Sequence, residues 1–585
     1  MAQNTALAER FNDVEMFRTC EQCGCCSSAC PISGKENFNI RRIIRFIELD
    51  LVDDIAAGPF PWMCTTCGRC ETVCPNGIGI LDIIRPLRAM APEEYVPDGP
   101  PPCMHACPGG IDVPGYIRLI AEGKPREAHA LILEKVPFPG ILGRVCTHPC
   151  EDVCRRGEVN APISICALKR YAADKSDGLP EEISRCARDT GRRIAVVGSG
   201  PAGLTAAFYL RKKGHQITVF EERSKPGGMM RYGIPSYRLP EDALDREINQ
   251  VLDLGIELKT KKSLGRDFDL NQLKEQGYDA VFLALGLQES RKIDLEGAQS
   301  KDVLWGLDFL SQVSEGKDIA LKDRVLVVGG GNVAVDVGLT ALRKGAKEVT
   351  LACLESQEEM PANPWEIEMA REEGIRLMPS WGPKRILEEG GKVTGIELVQ
   401  CASVFDDQGN FCPAFDDVTE TVSADQVILA IGQTTDLTCL ASDDTCRIEE
   451  SLIAADPETQ ETDMPGVFAG GDVTKGPGII IEAIAAGKRA AGSIDRYLGG
   501  DGVIESPGRQ VADCKVENPD TPSYDGKREK GFADLQRVPI PTLPLEERYN
   551  GFPEVDLCLE DDQAQAEALR CLECDLEWCL AKEFK

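Results

Sequence analysis

Histidine and positive charge are both scarce in this chain of 585 residues. Its four histidines, His105, His129, His148 and His215, are scattered and form no catalytic or metal-binding constellation. Lys and Arg number 65 against 96 Asp and Glu, a net charge of -31. That charge repels nucleic acid and anionic lipid and leaves proteins as the expected macromolecular partners. Long apolar runs are missing too: no stretch approaches the roughly 20 uninterrupted apolar residues of a membrane span. The opening MAQNTALAERFNDVEMF has neither the basic end nor the apolar middle of a secretory signal. The expectation is a cytoplasmic protein.

Cysteine, by contrast, is abundant: 26 residues, mostly in tight Cys-x-x-Cys groups. In a large chain with no secretory signal such groups read as metal ligands rather than disulfides. The length fits three to five domains of about 100 to 200 residues, and the texture divides it. Residues 1–95 hold two like cysteine motifs about 44 residues apart, joined by a predicted helix in IRRIIRFIELDLVDDIAA. After the Pro-rich APEEYVPDGPPP, residues 100–188 form a second cysteine region with helices predicted in YIRLIAEGKPREAHALILE and ICALKRYAAD. From there, strands opening into glycine loops imply βαβ units and parallel sheets. They divide into one domain over 189–320 and 425–500 and another over 321–424. An acidic strap and a short helix bearing CLECDLEWC occupy 501–585.

The first two motifs carry the most specific chemistry. Cys20, Cys23, Cys26 and Cys30 have the spacing C-x2-C-x2-C-x3-C-P, and Cys64, Cys67, Cys70 and Cys74 repeat it. Three thiolates on one tight loop hold three corners of a 4Fe-4S cube, while the fourth, ahead of a proline, serves the other cube. The expected sets are Cys20, Cys23 and Cys26 with Cys74, and Cys64, Cys67 and Cys70 with Cys30. Structural zinc is the plainer alternative, but its ligands usually come as two separated pairs without a closing Cys-Pro. Cys25 reads as a small filler beside the ligands.

RRIAVVGSGPAGLTAAFYL sets Gly198, Gly200 and Gly203 between a strand and a helix, and the next strand ends at Glu221. Such glycines let a pyrophosphate approach the helix N-terminus, and the acid accepts from ribose hydroxyls. RVLVVGGGNVAVDVGLTALRKG repeats the pattern with Gly329, Gly331 and Ala334, and is the expected nicotinamide-nucleotide site.

The N-terminal ninety residues resemble the two-cluster subunit of heterodisulfide reductase, in the cysteine motifs and the helical spacer. From Pro101 to about Gly499 the chain resembles the small subunit of glutamate synthase and its flavoprotein relatives, including flavin subunits of transhydrogenases and of dihydropyrimidine dehydrogenase. The motifs are PPCMHACPGGIDVPGYI, GRVCTHPCEDVC, GGMMRYGIPSYRLP, GGGNVAVD, EEMPA and GVFAGGDV. The resemblance implies an α/β flavoprotein of two Rossmann-like dinucleotide domains preceded by two mainly helical iron–sulfur domains. It implies FAD at the first site, with Gly228 and the pair Gly471 and Asp472 completing it, the aspartate on the ribityl chain. NADPH-using relatives carry an Arg pair where Leu354 and Glu355 stand here. Glutamate repels a 2′-phosphate and suits a free 2′-hydroxyl, so NAD(H) is expected.

Relatives also hold two clusters in the helical domain, through a C-x2-C-x4-C-x3-C-P run and a later trio. Cys103 and Cys107 match the last two of the run and Cys146, Cys150 and Cys154 the trio. The run's first pair is missing, and Cys571, Cys574 and Cys579 reproduce C-x2-C-x4-C. The expectation is that they fold back to complete one cluster with Cys154 and Cys103. The other uses Cys107, Cys146 and Cys150; the relatives' Gln or Glu ligand position falls on Lys169, and Cys166, one helical turn away, is the candidate fourth ligand. A buried helix cysteine is the alternative reading of Cys166. Cys186, Cys353, Cys401, Cys412, Cys439, Cys446, Cys514 and Cys558 read as core or surface thiols, while His105 and His148 sit inside cysteine loops where a hydrogen bond to a cluster is conceivable.

About four 4Fe-4S clusters, FAD and NAD(H) in one chain make an electron-transfer subunit the first reading, with no side-chain acid or base required. Its partner would be a hydrogenase, formate dehydrogenase, heterodisulfide reductase-like subunit, acyl-CoA reductase or ferredoxin, and an electron-bifurcating complex is one setting that suits it. The alternatives are the electron-input subunit of glutamate synthase and a non-catalytic relay.

Overall fold

The computed structural model describes residues 14–95, 99–440, 446–505, 524 and 526–583; Cys514 and part of the strap lie outside them. The N-terminal domain is a set of short helices around its own core, built from Phe17, Phe38, Ile40, Ile43, Ile44, Ile47, Ile83, Ile84 and Leu87. The helix Ile40–Glu48 starts where the Asn39 side chain accepts from the Arg42 amide at 3.2 Å, and it buries Ile40, Ile43, Ile44 and Ile47 along one stripe. The expected single helix through residue 57 is broken: Asp50 adopts φ 59 and the chain resumes as Val52–Ala56. Aspartate tolerates that left-handed conformation.

The second helical region breaks likewise at Gly123 (φ 74) before Pro125, giving Val113–Ala121 and Pro125–Leu133. Its helices share one core with the flavin-type domain: Tyr116, Ile132, Leu142 and Leu168 belong to the same apolar cluster as Val196, Leu204 and Ile484. The two domains are therefore packed as a unit.

The first parallel sheet has the order Val467–Ala469, Ala280–Leu283, Arg193–Val197, Gln216–Phe220, Glu257–Lys259. The second has the order Val303–Trp305, Gln426–Leu429, Arg324–Val328, Glu348–Ala352, Arg376–Met378, again parallel. This shifts the expected boundaries: the strands at 303–305 and 426–429, expected in the first domain, pair with the second. The chain crosses where Glu289–Ser290 pairs with Gln433–Thr434. Both strands are short, and their pairing decides their domain rather than their sequence. A three-stranded antiparallel sheet, Trp381–Glu389, Lys392–Phe405 and Phe411–Ser423, is appended.

The last helices return to the beginning of the chain. Asp561–Ala568 packs on Val113–Ala121 and Ile165–Asp174, while Cys574–Glu583 packs on Leu81–Met90. No helix among the described residues is long and apolar enough to cross a membrane.

Candidate redox centres

The two N-terminal loops are built alike. Gln22 and Thr66, each two residues after the first cysteine of its motif, both adopt φ 56, and Gly24 and Gly68 follow at φ 83 and 74. Each left-handed turn aims an amide at sulfur: Gln22 N donates to Cys20 Sγ and Thr66 N to Cys64 Sγ, both at 3.4 Å. Cys20, Cys23, Cys26 and Cys74 line one cavity with Cys25, and Cys30, Cys64, Cys67 and Cys70 line another. These are the two exchanged sets the spacing requires, and four thiols around a void fit a 4Fe-4S cube. Cys25, read as a filler, is exposed at the mouth of its cavity together with Cys23.

The same turn occurs twice more. His148 (φ 47) donates its amide to Cys146 Sγ at 3.4 Å, and Glu573 (φ 49) to Cys571 Sγ at 3.5 Å. The His148 ring is not turned to sulfur; it stacks on Trp365 at 4.3 Å. Burial first, and then the neighbouring sulfurs of Cys574, Cys571 and Cys154, push the Cys103 thiol well above its ordinary range. Those four cysteines meet at one place. Cys579 is disulfide-bonded and is not among the sulfurs acting on Cys103.

On the other side, Cys146 and Cys150 are the first neighbours acting on the Cys166 thiol. Lys169, 3% exposed, sits among Cys166, Cys146, Cys150 and Cys107: burial works against its charge, and those sulfurs more than offset it, raising its pKa. Tyr116 is within electrostatic reach of Cys150 and Cys166 on one side of the domain and of Cys103 on the other, its hydroxyl donating to the Ile165 carbonyl at 2.9 Å. Among the described residues no group of three or more His, Cys, Asp or Glu is gathered around a single-ion point.

One pocket takes in Gly198, Gly200, Glu221, Gly228, Gly471 and Asp472. Its glycines are steric requirements: a Cβ on Gly228 would stand 2.7 Å from the Gly200 Cα, and one on Gly203 2.0 Å from the Gly198 carbonyl oxygen. Gly203 thus serves the strand–helix contact and does not line the pocket. The Glu221 carboxylate accepts from the amides of Ser199 at 3.2 Å and Arg223 at 2.8 Å and from the Ser199 hydroxyl. Asp472 faces the pocket with no side-chain hydrogen-bond donor among the described residues; burial, with Glu482 adding to it, pushes it up to about 7. A carboxylate left without a protein donor fits a polyhydroxyl chain, so the residues suit a flavin nucleotide.

At the second glycine turn, Gly329 adopts φ 142 against the Ala430 carbonyl. The EEMPA segment closes over it: Ala362 N donates to Gly330 O at 3.1 Å and Asn363 N to Asn332 Oδ1 at 2.8 Å. Glu355 reaches over the turn, its Oε2 standing 2.6 Å from where a Gly330 Cβ would be. Ala334 is buried at the turn.

Several residues that tie these centres together left no signal in the sequence. Arg155, next to Cys154, donates from Nη2 to the carbonyls of Trp62, Met63 and Cys64 at 3.1, 2.9 and 2.8 Å. Arg528 bridges Thr66 O and Leu572 O. Glu577 accepts from Arg85 Nε at 3.1 Å and Tyr524 Oη at 2.7 Å, with Arg88 at 3.7 Å. Cys67, Leu572 and Cys574 lie in one apolar cluster. Partners hundreds of residues apart have no spacing signature.

Residues 192–487 match the pyridine nucleotide-disulphide oxidoreductase model. Residues 99–179 match dihydropyrimidine dehydrogenase domain II, 4Fe-4S cluster, and residues 16–78 a 4Fe-4S dicluster domain. The chain is 37% identical to the NADP(+)-dependent formate dehydrogenase subunit beta of Moorella thermoacetica, over 82% of this chain and 71% of the relative. It is 33% identical to the NADPH-Fe(3+) oxidoreductase subunit beta of Geobacter sulfurreducens, over 90% and 84%. It is also 33% identical to the NAD-dependent dihydropyrimidine dehydrogenase subunit PreT of Escherichia coli O157:H7, over 68% and 91%. The likeness extends to this wider family rather than to glutamate synthase in particular.

Proposed function

Because the chain belongs to the pyridine nucleotide-disulphide oxidoreductase family and carries 4Fe-4S domains ahead of that fold, we propose that it is an NADH-linked electron-transfer subunit. Electrons would run between NAD(H), FAD and four 4Fe-4S clusters to a partner protein. FAD and the clusters supply the exchange between a two-electron hydride and one-electron transfer. The protein's own residues bind, orient and space them.

The observation that carries the reading is the unbroken line of sites. Ile479 and Ile480 line the flavin pocket, and Ile481 packs where a Gly109 side chain would be, two residues after Cys107. Lys488 reinforces that join by donating to the Gly109 carbonyl at 2.7 Å. Tyr116 feels sulfurs of both the Cys107 set and the Cys103 set, which supports their nearness. Cys574 and Cys67 then bring the Cys103 set against the Cys64 set. The exposure of Cys23 supports the Cys20 set as the face toward the partner, and the names of the relatives support a formate dehydrogenase-type or metal-reducing complex.

Glu355 supports NADH, although two relatives carry NADP in their names and one NAD. Anaerobic reduction of the reconstituted protein by NADH and by NADPH, followed by flavin bleaching and cluster EPR, tests the reading. Rapid reduction by NADH with about sixteen irons per chain is expected. Preference for NADPH would overturn the Glu355 argument, and no reduction by either would leave a relay.

A further inference from the structure

A buried cation is normally held by carboxylates, since an unpaired one costs several kcal/mol. Lys169 is held by sulfur. It lies on Ile165–Asp174, one turn beyond Cys166, 3% exposed. Its one hydrogen-bond partner among the described residues is Cys166 Sγ at 3.9 Å. Cys146, Cys150 and Cys107 complete its surroundings. Arg144 and Arg170 nearby are taken up by Asp174 and Glu554, and Glu151 is engaged by Arg537. Among the described residues no carboxylate within ion-pair distance offsets the Lys169 charge.

We propose that Lys169 is a fixed positive charge that raises the reduction potential of the cluster bound by Cys107, Cys146, Cys150 and Cys166. The inference rests on the reading that these four cysteines hold a 4Fe-4S cluster. Four thiolates on an oxidised Fe4S4 core carry a net charge of about -2, and one added electron makes it about -3; no bond breaks and no proton moves. Net charge is one of the quantities that set cluster potentials. A cation in contact with one ligand sulfur and within electrostatic reach of the other three therefore stabilises the reduced form more than the oxidised one. The position matters because this is the set whose loop abuts the flavin pocket wall, so Lys169 makes it a receptive first stop for an electron leaving the flavin.

The test is an EPR-monitored redox titration of the full-length, cluster-loaded protein and its Lys169→Met, Lys169→Gln and Lys169→Arg variants. The wave is assigned by its alteration in Cys107→Ser. At a fixed potential the neutral variants should show at least a tenfold lower ratio of reduced to oxidised cluster, a downward shift of 59 mV for one electron, while Lys169→Arg stays near wild type. Unchanged midpoints in the neutral variants would overturn the proposal. So would a fall in Lys169→Arg equal to theirs, which would make the residue's packing the cause. Loss of this cluster in the neutral variants, with the other three intact, would also overturn it and reassign Lys169 to cluster assembly. Wild-type protein with about twelve irons and no wave altered by Cys107→Ser would instead sink the cluster reading itself.

Discussion

Arg155 Nη2 lies 2.8 Å from the carbonyl oxygen of Cys64, so the residue that follows one expected cluster ligand holds the backbone of another. The acceptors are carbonyls at the end of the short helix Phe60–Met63, where no intrahelical amide remains to use them. Arg155→Ala should weaken docking of the N-terminal domain by about 1.5 to 3 kcal/mol, the range for hydrogen bonds from a charged group. In anaerobic stopped-flow the flavin and middle clusters should reduce at the wild-type rate and the N-terminal pair more slowly. Equal slowing of all centres would mean that the arginine has a wider role.

Glu577 is the carboxylate on which the same junction turns. It is 1% exposed and faces Arg85, Arg88 and Arg528. Glu577→Gln leaves buried guanidinium groups without their counter-charge and should cost about 3 to 5 kcal/mol. Limited proteolysis should then release the N-terminal domain at a protease concentration that leaves the wild type intact.

Cys571 and Cys579 should behave oppositely. Cys571→Ser is expected to lose about four irons per chain, one cube's worth, with the N-terminal EPR signals retained. Cys579→Ser should keep its full iron content. Equal losses in both would return Cys579 to the ligand set.

Charge at residue 355 should set coenzyme choice. Glu355→Arg is expected to raise the NADPH to NADH ratio of kcat/KM by at least about tenfold, a change of about 1.4 kcal/mol. Steady-state diaphorase assays with both coenzymes measure it.

Glu247 couples the flavin domain to the middle cluster domain: its carboxylate accepts from Gly140 N at 2.6 Å and Ile141 N at 2.9 Å. Burial pushes its pKa up to about 7, the two amides pulling the other way. Between about pH 4.5 and 7 the native carboxyl keeps a proton that the unfolded chain has released. Its contribution to stability is thus fully present below about 4.5 and is lost as the pH rises through about 7. The advantage of wild type over Glu247→Gln should shrink by about 3 kcal/mol across that window, read as converging unfolding midpoints.

The N-terminal sets were legible because their ligands are local and the exchange of the fourth cysteine follows from loop geometry alone. The set of Cys103, Cys154, Cys571 and Cys574 was legible only by counting missing ligands. Counting also took in Cys579, which the structure holds in a disulfide and on another side of its helix. Cys574 opens the helix Cys574–Glu583, and five residues at 3.6 per turn leave Cys579 roughly 140° around the axis from it, whereas the motif assumes an open loop. Gly198 and Gly329 were legible because nucleotide turns force positive φ. Arg155, Arg528 and Glu577 were not, since nothing near them in sequence records partners so far away. The short strands at 303–305 and 426–429 gave no clue to their sheet because pairing, rather than pattern, assigns them.

The return of Cys571 and Cys574 to Cys103 and Cys154 also imposes an order on biosynthesis. Cys154 leaves the ribosome about four hundred residues before Cys571, which at 5–20 residues per second is on the order of tens of seconds. Both N-terminal sets, which end at Cys74, are synthesised before that interval opens and would be ready for iron while translation continues. The junction set waits for the last stretch of chain. On the proposed reading, a ribosome that stalls anywhere in the nucleotide domains would therefore yield a product with both N-terminal sets complete and the Cys103 set short of two ligands.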